Sequence, residues 1–206
     1  MTVDIPYELP ENWVWTSLAD IADIIMGSSP PSSSYNKEKA GLPFYQGKTD
    51  FGFLSPTPRV WCSSPYKVAE EGDVLISVRA PVGPTNLCTE KSCIGRGLGA
   101  IRPRAGIPSL FVLFYLRSIE KNVAQMGTGS TFTAIKRSDL ESLPFPLASL
   151  NEQKRIVAKI ESLFAESKTT LDALGKLPVF LRRFRQSVLA KAFRGELTQR
   201  ESDDEP

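Results

Sequence analysis

The sequence predicts an α+β protein in which a mixed globular domain is followed by a long α-helical region. Short apolar segments separated by glycines and prolines occupy the N-terminal part of the chain, as is typical of short strands and helices joined by turns. Beyond Ser149, apolar residues recur at alternating steps of three and four, which is typical of a long helix. We therefore expect a globular domain at residues 1–148, a helical region at 149–200 and a disordered acidic tail at 201–206.

The first elements expected along the chain are a strand and a helix. Trp13–Trp15 alternates with polar neighbours and predicts a short strand. Ser17 is a suitable N-cap for a helix that ends at Gly27, and the serine- and proline-rich residues 28–34 predict a surface loop. The apolar face of this helix carries Leu18, Ile21 and Ile25.

The middle of the chain contains two strand signals and one glycine-rich run. Leu42–Gln46 and Val74–Val78 predict strands, and the second is apolar enough to be buried. The glycines of Cys93–Ala100 match neither the dinucleotide-binding nor the Walker spacing, and the run leads to a strand end at Pro103. We therefore expect a bulged hairpin there.

A second helix and an extended connector follow. Pro108 begins a helix that ends at Gly127. Ser138–Glu141 predicts a capping box with a single helical turn, and the prolines of Leu143–Leu147 predict an extended connector. The buried stripe of the Pro108 helix comprises Val112, Leu116, Ile119 and Val123.

The long C-terminal helix begins at a capping box, Ser149–Glu152. Gly175 and Pro178 suit a helix end and a new start, so we expect two segments, Leu150–Leu174 and Pro178–Arg194. A repeat of 3.5 residues favours a coiled-coil seam with a second long helix. Packing of the stripe on the preceding domain and an ordinary C-terminal helical hairpin are the alternatives. The seam residues are Ile156, Ile160, Leu163, Leu174, Leu177, Leu181, Phe184 and Val188.

Composition narrows the function classes. The chain has no histidine, which removes the commonest general base and the usual zinc ligand, so a hydrolase or metalloenzyme is disfavoured. Cys62, Cys88 and Cys93 lack CxxC spacing, so reduced thiols are expected. The N-terminus lacks the order of a signal peptide and the apolar runs are too short for a membrane span, which predicts a cytoplasmic protein. Although the net charge is only +2, the segment Arg182–Arg194 is strongly basic.

Two polar clusters suit contacts to nucleic acid. Gln46–Asp50 places an amide, a glycine and a cation in a row, which suits a base edge and a phosphate, although a polar turn between strands is the alternative. Gly127–Phe132 offers backbone amides and hydroxyls, and Lys136 and Arg137 follow it with two positive charges.

Six groups of residues, taken in their order along almost the whole chain, form a larger pattern. They are Leu9–Trp13 with Leu18 and Ile21; Gly72–Ser77 with Gly83; Gly127–Thr131 with Ile135; Leu143–Leu147 with Glu152, Gln153 and Ile156; Arg183–Leu189; and Ala192–Leu197. Taken together, these segments resemble the DNA-specificity subunits of type I restriction-modification systems.

The resemblance implies a target-recognition domain followed by a helical conserved region, a pair that such subunits usually carry twice. This chain has no internal repeat, so it resembles a half subunit, and pairing with a second copy through the helical seam would restore two-fold symmetry. The implied partners are double-stranded DNA, a methyltransferase subunit and a restriction subunit. Adenine methylation and DNA cleavage would belong to those subunits, and no cofactor is expected in this chain.

The sequence agrees with this division of labour, since it lacks the Asp/Asn-Pro-Pro-aromatic loop of amino-methyltransferases and a Walker lysine loop. A coiled-coil adaptor that binds protein and ignores DNA sequence is the alternative function. The residues expected to contact DNA are Gln46, Lys48, Arg79, Arg96, Thr128, Ser130, Lys136 and Arg137.

Overall fold

A computed structural model describes residues 7–127 and 134–192 of the chain, and it contains both sheets and helices. The predicted α+β class is therefore confirmed. The chain divides into two compact units, Met1–Val157 and Ala158–Pro206. The elements are β1 Val14–Ser17, α1 Leu18–Ile21, β2 Ala22–Met26, β3 Tyr35–Asn36, β4 Leu42–Tyr45, β5 Trp61–Cys62, β6 Val68–Ala69, β7 Val74–Ser77, β8 Thr85–Leu87, β9 Ser92–Ile94, β10 Leu98–Pro103, α2 Ser109–Ser118, α3 Glu120–Met126, α4 Arg137–Glu141, β11 Pro144–Leu147 and α5 Leu150–Ala192.

An antiparallel four-stranded sheet, in the order β2-β10-β7-β8, carries the main core. Strand β7 is buried throughout, as its apolar sequence predicts. Helices α2 and α3 pack on this core, and they are separate helices because the chain leaves helical geometry at Ile119. The predicted stripe is nevertheless buried along its whole length, with Val112, Leu116, Ile119 and Val123 each at most 7% exposed.

A second sheet has five strands in the order β3-β5-β4-β9-β6, and β4 and β9 run parallel. The predicted hairpin at Cys93–Ala100 is wrong, because β9 belongs to this sheet and β10 to the four-stranded sheet. Gly95–Gly97 carries the chain from one sheet to the other, with a turn closed by the Leu98 amide donating to the Gly95 carbonyl at 3.0 Å. Backbone pairing with distant strands therefore decides the path of this run.

The predicted helix from Ser17 to Gly27 is also wrong beyond its first turn. The amide of Ser17 donates to the Asp20 carboxylate at 3.0 Å, so the start is capped as expected, but α1 ends at Ile21. Residues 22–26 instead form β2, which pairs with β10. Backbone hydrogen bonds along the whole of β2 outweigh the helical spacing of Ile21 and Ile25, because a separation of four residues also suits one face of a strand.

The segment before the long helix differs from expectation in two details. Leu143–Leu147 is more than a connector, because Pro144–Leu147 forms β11 and pairs antiparallel with β1. The short helix α4 begins at Arg137 rather than after Ser138, since the Asp139 carboxylate accepts the amide of Lys136 at 2.7 Å. The acidic residue Asp139 therefore caps the helix start two residues earlier than the capping-box pattern predicts.

The C-terminal helix α5 is a single element of 43 residues that includes Pro178, so the predicted division at Gly175 is wrong. A proline removes one backbone donor, and the other hydrogen bonds of the ladder continue past it. At a rise of about 1.5 Å per residue, α5 is about 65 Å long. Its start is capped as predicted, with the Glu152 amide donating to the Ser149 hydroxyl at 3.3 Å. None of the helices within residues 7–127 and 134–192 has the length and apolarity to cross a bilayer.

Candidate nucleic-acid interface

Four loops of the N-terminal unit enclose an open cleft of about 500 Å³. Four of the predicted DNA-contact residues, Gln46, Lys48, Arg79 and Arg96, line this cleft, although they are up to 50 positions apart in the sequence. The remaining lining residues are Ser29, Gly47, Thr49, Ser77, Ala80, Pro81 and Gly97.

The first wall of the cleft is the loop that follows β4. Tyr45 is buried, and the chain reaches the surface at Gln46, whose side chain is exposed. The backbone amide of Gln46 donates to the carboxylate of Asp50 at 2.8 Å, and a short 3-10 turn covers Lys48–Asp50. Gln46 and Lys48 therefore extend from a loop that folds back on itself.

The second wall is the glycine-rich crossing between the two sheets. The Gly95 amide donates to the Tyr45 carbonyl at 2.8 Å, and the Arg96 amide donates to the Ser29 hydroxyl at 3.2 Å. A Cβ atom on Gly97 would lie 2.2 Å from the carbonyl oxygen of Gln46, so only glycine permits this backbone approach. The glycines of the run hold Arg96 beside the Gln46 loop. This close backbone approach explains the glycine-rich sequence, which superficially suggests nucleotide binding.

The third wall follows β7. The amide of Val78 donates to the Gly97 carbonyl at 2.9 Å, and its carbonyl accepts the amide of Ile135 at 3.0 Å. Arg79 comes next and forms an isolated antiparallel bridge with Ala134. Backbone pairing on both sides therefore fixes the position from which the exposed Arg79 side chain leaves the sheet.

The cleft carries a net positive charge. Its lining includes three cations and no carboxylate, and within residues 7–127 and 134–192 none of the three forms an ion pair. In the same part of the chain, the side-chain amide of Gln46 has no hydrogen-bond partner. Unpaired guanidinium and ammonium groups suit phosphates, and a free amide or guanidinium suits the edge of a base.

The other predicted contact residues are not brought into the cleft. Lys136 and Arg137 are exposed and lie two and three residues beyond Ala134, outside the lining. Arg137 is already paired, with its Nε 2.7 Å from an oxygen of Glu141. Thr128 and Ser130 lie outside the described residues, as does the predicted tail at 201–206.

Sequence reasoning missed two residues of this region. Ser29 lies in the predicted surface loop, but nothing in its neighbourhood indicates that its hydroxyl supports Arg96. Arg59 pairs with Asp50 at 2.7 Å and thereby supports the Gln46 loop from nine positions along the chain. An arginine in a segment without periodicity carries no local signal of such a role.

The three buried cysteines form no disulfide, as expected of reduced thiols. Burial raises the pKa of the Cys88 thiol to about 11 and that of the Cys93 thiol to about 12. Such thiols stay protonated and unreactive near neutral pH. In the described part of the chain, no group of three or more cysteine, aspartate or glutamate side chains is arranged to hold a metal ion.

The predicted seam residues fall into two groups. Ile156 packs against the main core of the N-terminal unit, next to the buried Val157, and Ile160 is partly exposed. The remaining seam residues with described side chains are 36–66% exposed: Leu163, Leu174, Leu181, Phe184 and Val188. Apolar exposure of this extent along one helix is typical of an interaction surface.

Comparisons with known proteins identify relatives of the whole described region. A family profile described as the type I restriction modification DNA specificity domain matches residues 10–174. A protein named as the MjaX type I restriction enzyme specificity subunit of Methanocaldococcus jannaschii is 45% identical over 159 residues, covering 76% of this chain and 37% of that protein. The EcoKI specificity subunit of Escherichia coli is 28% identical over 221 residues, covering 97% of this chain and 46% of that protein.

A solved structure shows the same architecture. The crystal structure of the HsdS subunit from Thermoanaerobacter tengcongensis aligns with a TM-score of 0.80 and 47% identity, covering 94% of this chain and 48% of that subunit. This chain therefore spans less than half the length of each of these relatives.

Proposed function

Because the chain belongs to the type I restriction-modification DNA specificity family, we propose that it is a non-catalytic subunit that reads one half of a bipartite DNA target. The observation that carries this proposal is the cleft, in which Lys48, Arg79 and Arg96 lie beside the side-chain amide of Gln46, and none of the four side chains has a partner among the described residues. Among the described residues the lining contains no carboxylate, and the nearby Asp50 carboxylate is paired with Arg59, so the formal charges of the lining itself attract a DNA strand.

Each of the four predicted contact residues in the cleft has a proposed role. Lys48 and Arg79 neutralise phosphates, which supplies affinity for any sequence. Gln46 and Arg96 contact base edges in the major groove, since an amide pairs with adenine in two hydrogen bonds and a guanidinium pairs with guanine in the same way. Lys136 and Arg137 add phosphate contacts beyond the cleft, together with Thr128 and Ser130.

The helical region has a separate proposed role. We assign target recognition to residues 1–148 and spacing to residues 149–200, with two copies of the chain paired through the exposed seam of α5. Such a dimer places two recognition domains on the two half-sites of one target. Methyltransferase and restriction subunits dock on this assembly and carry out the chemistry, and the basic residues of Arg182–Arg194 are a candidate contact to them or to DNA.

The proposal is tested by selecting duplexes from a random-sequence library with the full chain, then measuring affinity for a selected and a scrambled duplex over a range of salt. We expect a bipartite consensus and a steep loss of affinity with salt. Replacing Arg79 by alanine lowers the salt slope by about one, because one phosphate contact is lost. Replacing Gln46 by alanine weakens binding to the selected duplex alone.

A coiled-coil adaptor that binds protein is the second candidate function, and the exposed apolar residues of α5 favour it. The adaptor function predicts that no sequence is enriched from the library and that binding to DNA depends only weakly on salt. That result would refute DNA recognition by the cleft and leave the helical surface as the functional part of the chain.

A further inference from the structure

The loop that carries Gln46 and Lys48 is held by one carboxylate. Asp50 accepts the backbone amide of Gln46 on one oxygen at 2.8 Å and the guanidinium of Arg59 on the other at 2.7 Å. Its side chain is 11% exposed, so this carboxylate lies almost entirely within the protein. Both oxygens are therefore committed to shaping the loop.

Arg59 closes the arrangement from the opposite side. The same terminal nitrogen that binds Asp50 also donates to the carbonyl of Thr49 at 2.6 Å. The neighbouring Val60 carbonyl accepts the amide of Phe44 at 2.8 Å, which registers the Arg59 segment against β4. The loop from Gln46 to Thr49 is thus tied at both ends to the strand from which it emerges.

The Asp50 carboxylate carries an electrostatic cost for DNA binding, and this cost points to a separate role of Asp50 in binding. A carboxylate beside a cationic cleft repels phosphates, and the site would attract DNA more strongly without it. Arg59 offsets that charge, and its own side chain remains 59% exposed. The Asp50–Arg59 pair adds nothing to the attraction for a polyanion, but it fixes the backbone of the Gln46 loop. Such a pair is suited to setting the geometry of that loop.

We propose that Asp50 and Arg59 are positioning residues for sequence reading, acting as a clamp that holds the Gln46 amide in the orientation needed at a base edge. This inference rests on the proposed function and deepens it. The clamp contributes to the ratio between specific and non-specific affinity, whereas the proposed phosphate contacts of Lys48 and Arg79 contribute to both affinities alike.

The decisive variant is Asp50→Ala in the full chain, because two explanations give opposite signs. If the clamp positions the loop, affinity for a library-selected duplex falls by about tenfold or more, as expected for the loss of charged hydrogen bonds. Affinity for a scrambled duplex stays equal or increases, since a negative charge is removed. If Asp50 acts only through its charge, both duplexes bind more tightly, and that result overturns the proposal.

Two companion variants complete the cycle. Arg59→Ala lowers the same ratio, and the double variant is no worse than Asp50→Ala, because one clamp cannot be lost twice. A role of Arg59 in binding phosphate predicts instead that both duplexes weaken and that the effects of the two substitutions add. Glu70→Ala and Lys91→Ala are matched controls, since Glu70 and Lys91 form an exposed ion pair 2.9 Å apart outside the cleft, and the ratio remains that of the unmodified chain.

Hydrogen exchange tests the clamp without DNA. The amide of Gln46 exchanges slowly in the unmodified chain and faster in Asp50→Ala, while the amide of Val78, bonded to the Gly97 carbonyl, remains protected. Unchanged exchange at Gln46 overturns the clamp even if the chain reads DNA. Exchange that increases at Val78 as well indicates unfolding, and Arg59→Ala, which removes the guanidinium that holds the Asp50 carboxylate, then replaces Asp50→Ala with the same expected increase at Gln46. If the unmodified chain shows no sequence preference, that result refutes the proposed function and, with it, the role of the clamp in specificity.

Discussion

Replacing Gly97 by alanine perturbs the frame of the cleft without touching any of its charged side chains. The added Cβ would lie 2.2 Å from the carbonyl oxygen of Gln46 and 3.8 Å from the Cα atom of Gly47. Because unbonded heavy atoms pack at about 3.5 Å, one of the two backbone segments must move by roughly 1 Å. Neither moves freely, since Gly97 accepts the amide of Val78 and Gly95 donates to Tyr45.

The cost follows from this close approach. Forcing an extra carbon into a packed site destabilises by about 1–3 kcal/mol, and strain on the two flanking hydrogen bonds places Gly97→Ala in the upper half of that range. For a domain of this size, about 2–3 kcal/mol corresponds to a decrease in Tm of roughly 4–12 °C. Gly47→Ala is the matched control, because nothing lies within 4 Å of its added carbon and its φ of 178° suits any residue.

Urea unfolding followed by tryptophan fluorescence measures the difference. Trp13, Trp15 and Trp61 are the three tryptophans of the chain, and all lie in the unit that contains the cleft. We expect Gly47→Ala within about 0.5 kcal/mol of the unmodified chain. A Gly97→Ala variant of equal stability, with unchanged affinity for a selected duplex, would refute the role of the glycine in setting the cleft.

Three further outcomes are expected. Leu163→Asp combined with Leu181→Asp places two charges on the exposed seam and dissociates the proposed dimer; light scattering that reports the same mass for variant and unmodified chain contradicts the seam. Lys136→Ala with Arg137→Ala weakens binding to all duplexes and lowers the slope of affinity against salt by about one to two, and an unchanged slope places both residues outside the interface. The Cys93 thiol, with its pKa raised to about 12 by burial, stays protonated as pH rises past 9 while the unfolded thiol ionises, so stability falls between pH 9 and 12. Urea midpoints measured across that range for the unmodified chain and Cys93→Ala check this, and equal slopes contradict it.

Local patterns predict the elements whose partners are close in sequence or whose burial is complete. The stripe of the Pro108 helix is buried because three- and four-residue spacing leaves no other face for the core. The apolar run at Val74–Ser77 forms a central strand because all of its residues are buried. Gln46, Lys48, Arg79 and Arg96 each lie within three residues of the end of a strand, where the chain returns to the surface, and the strand ends bring them to one cleft.

Patterns fail where a distant partner decides. Residues 22–26 have spacing that fits a helix or a strand, and only β10, some 75 positions later, selects the strand. The glycines at 95–97 suggest a hairpin until the parallel pairing of β4 and β9 is known. Arg59 shows no local sign that it supports the Gln46 loop. In each case the information lies in contacts that a window of sequence does not contain.

The four side chains of the cleft that are proposed to contact DNA lie outside the hydrophobic core. Within the part of the chain that the structure describes, the side chains of Gln46, Lys48, Arg79 and Arg96 are exposed and make no hydrogen bonds to protein. Exchanging any of them leaves folding stability almost unchanged, because surface substitutions of this kind cost about 0.5 kcal/mol or less. On the proposed function, a few point mutations at these positions change the DNA target, as long as the glycine-lined backbone beneath them is inherited intact.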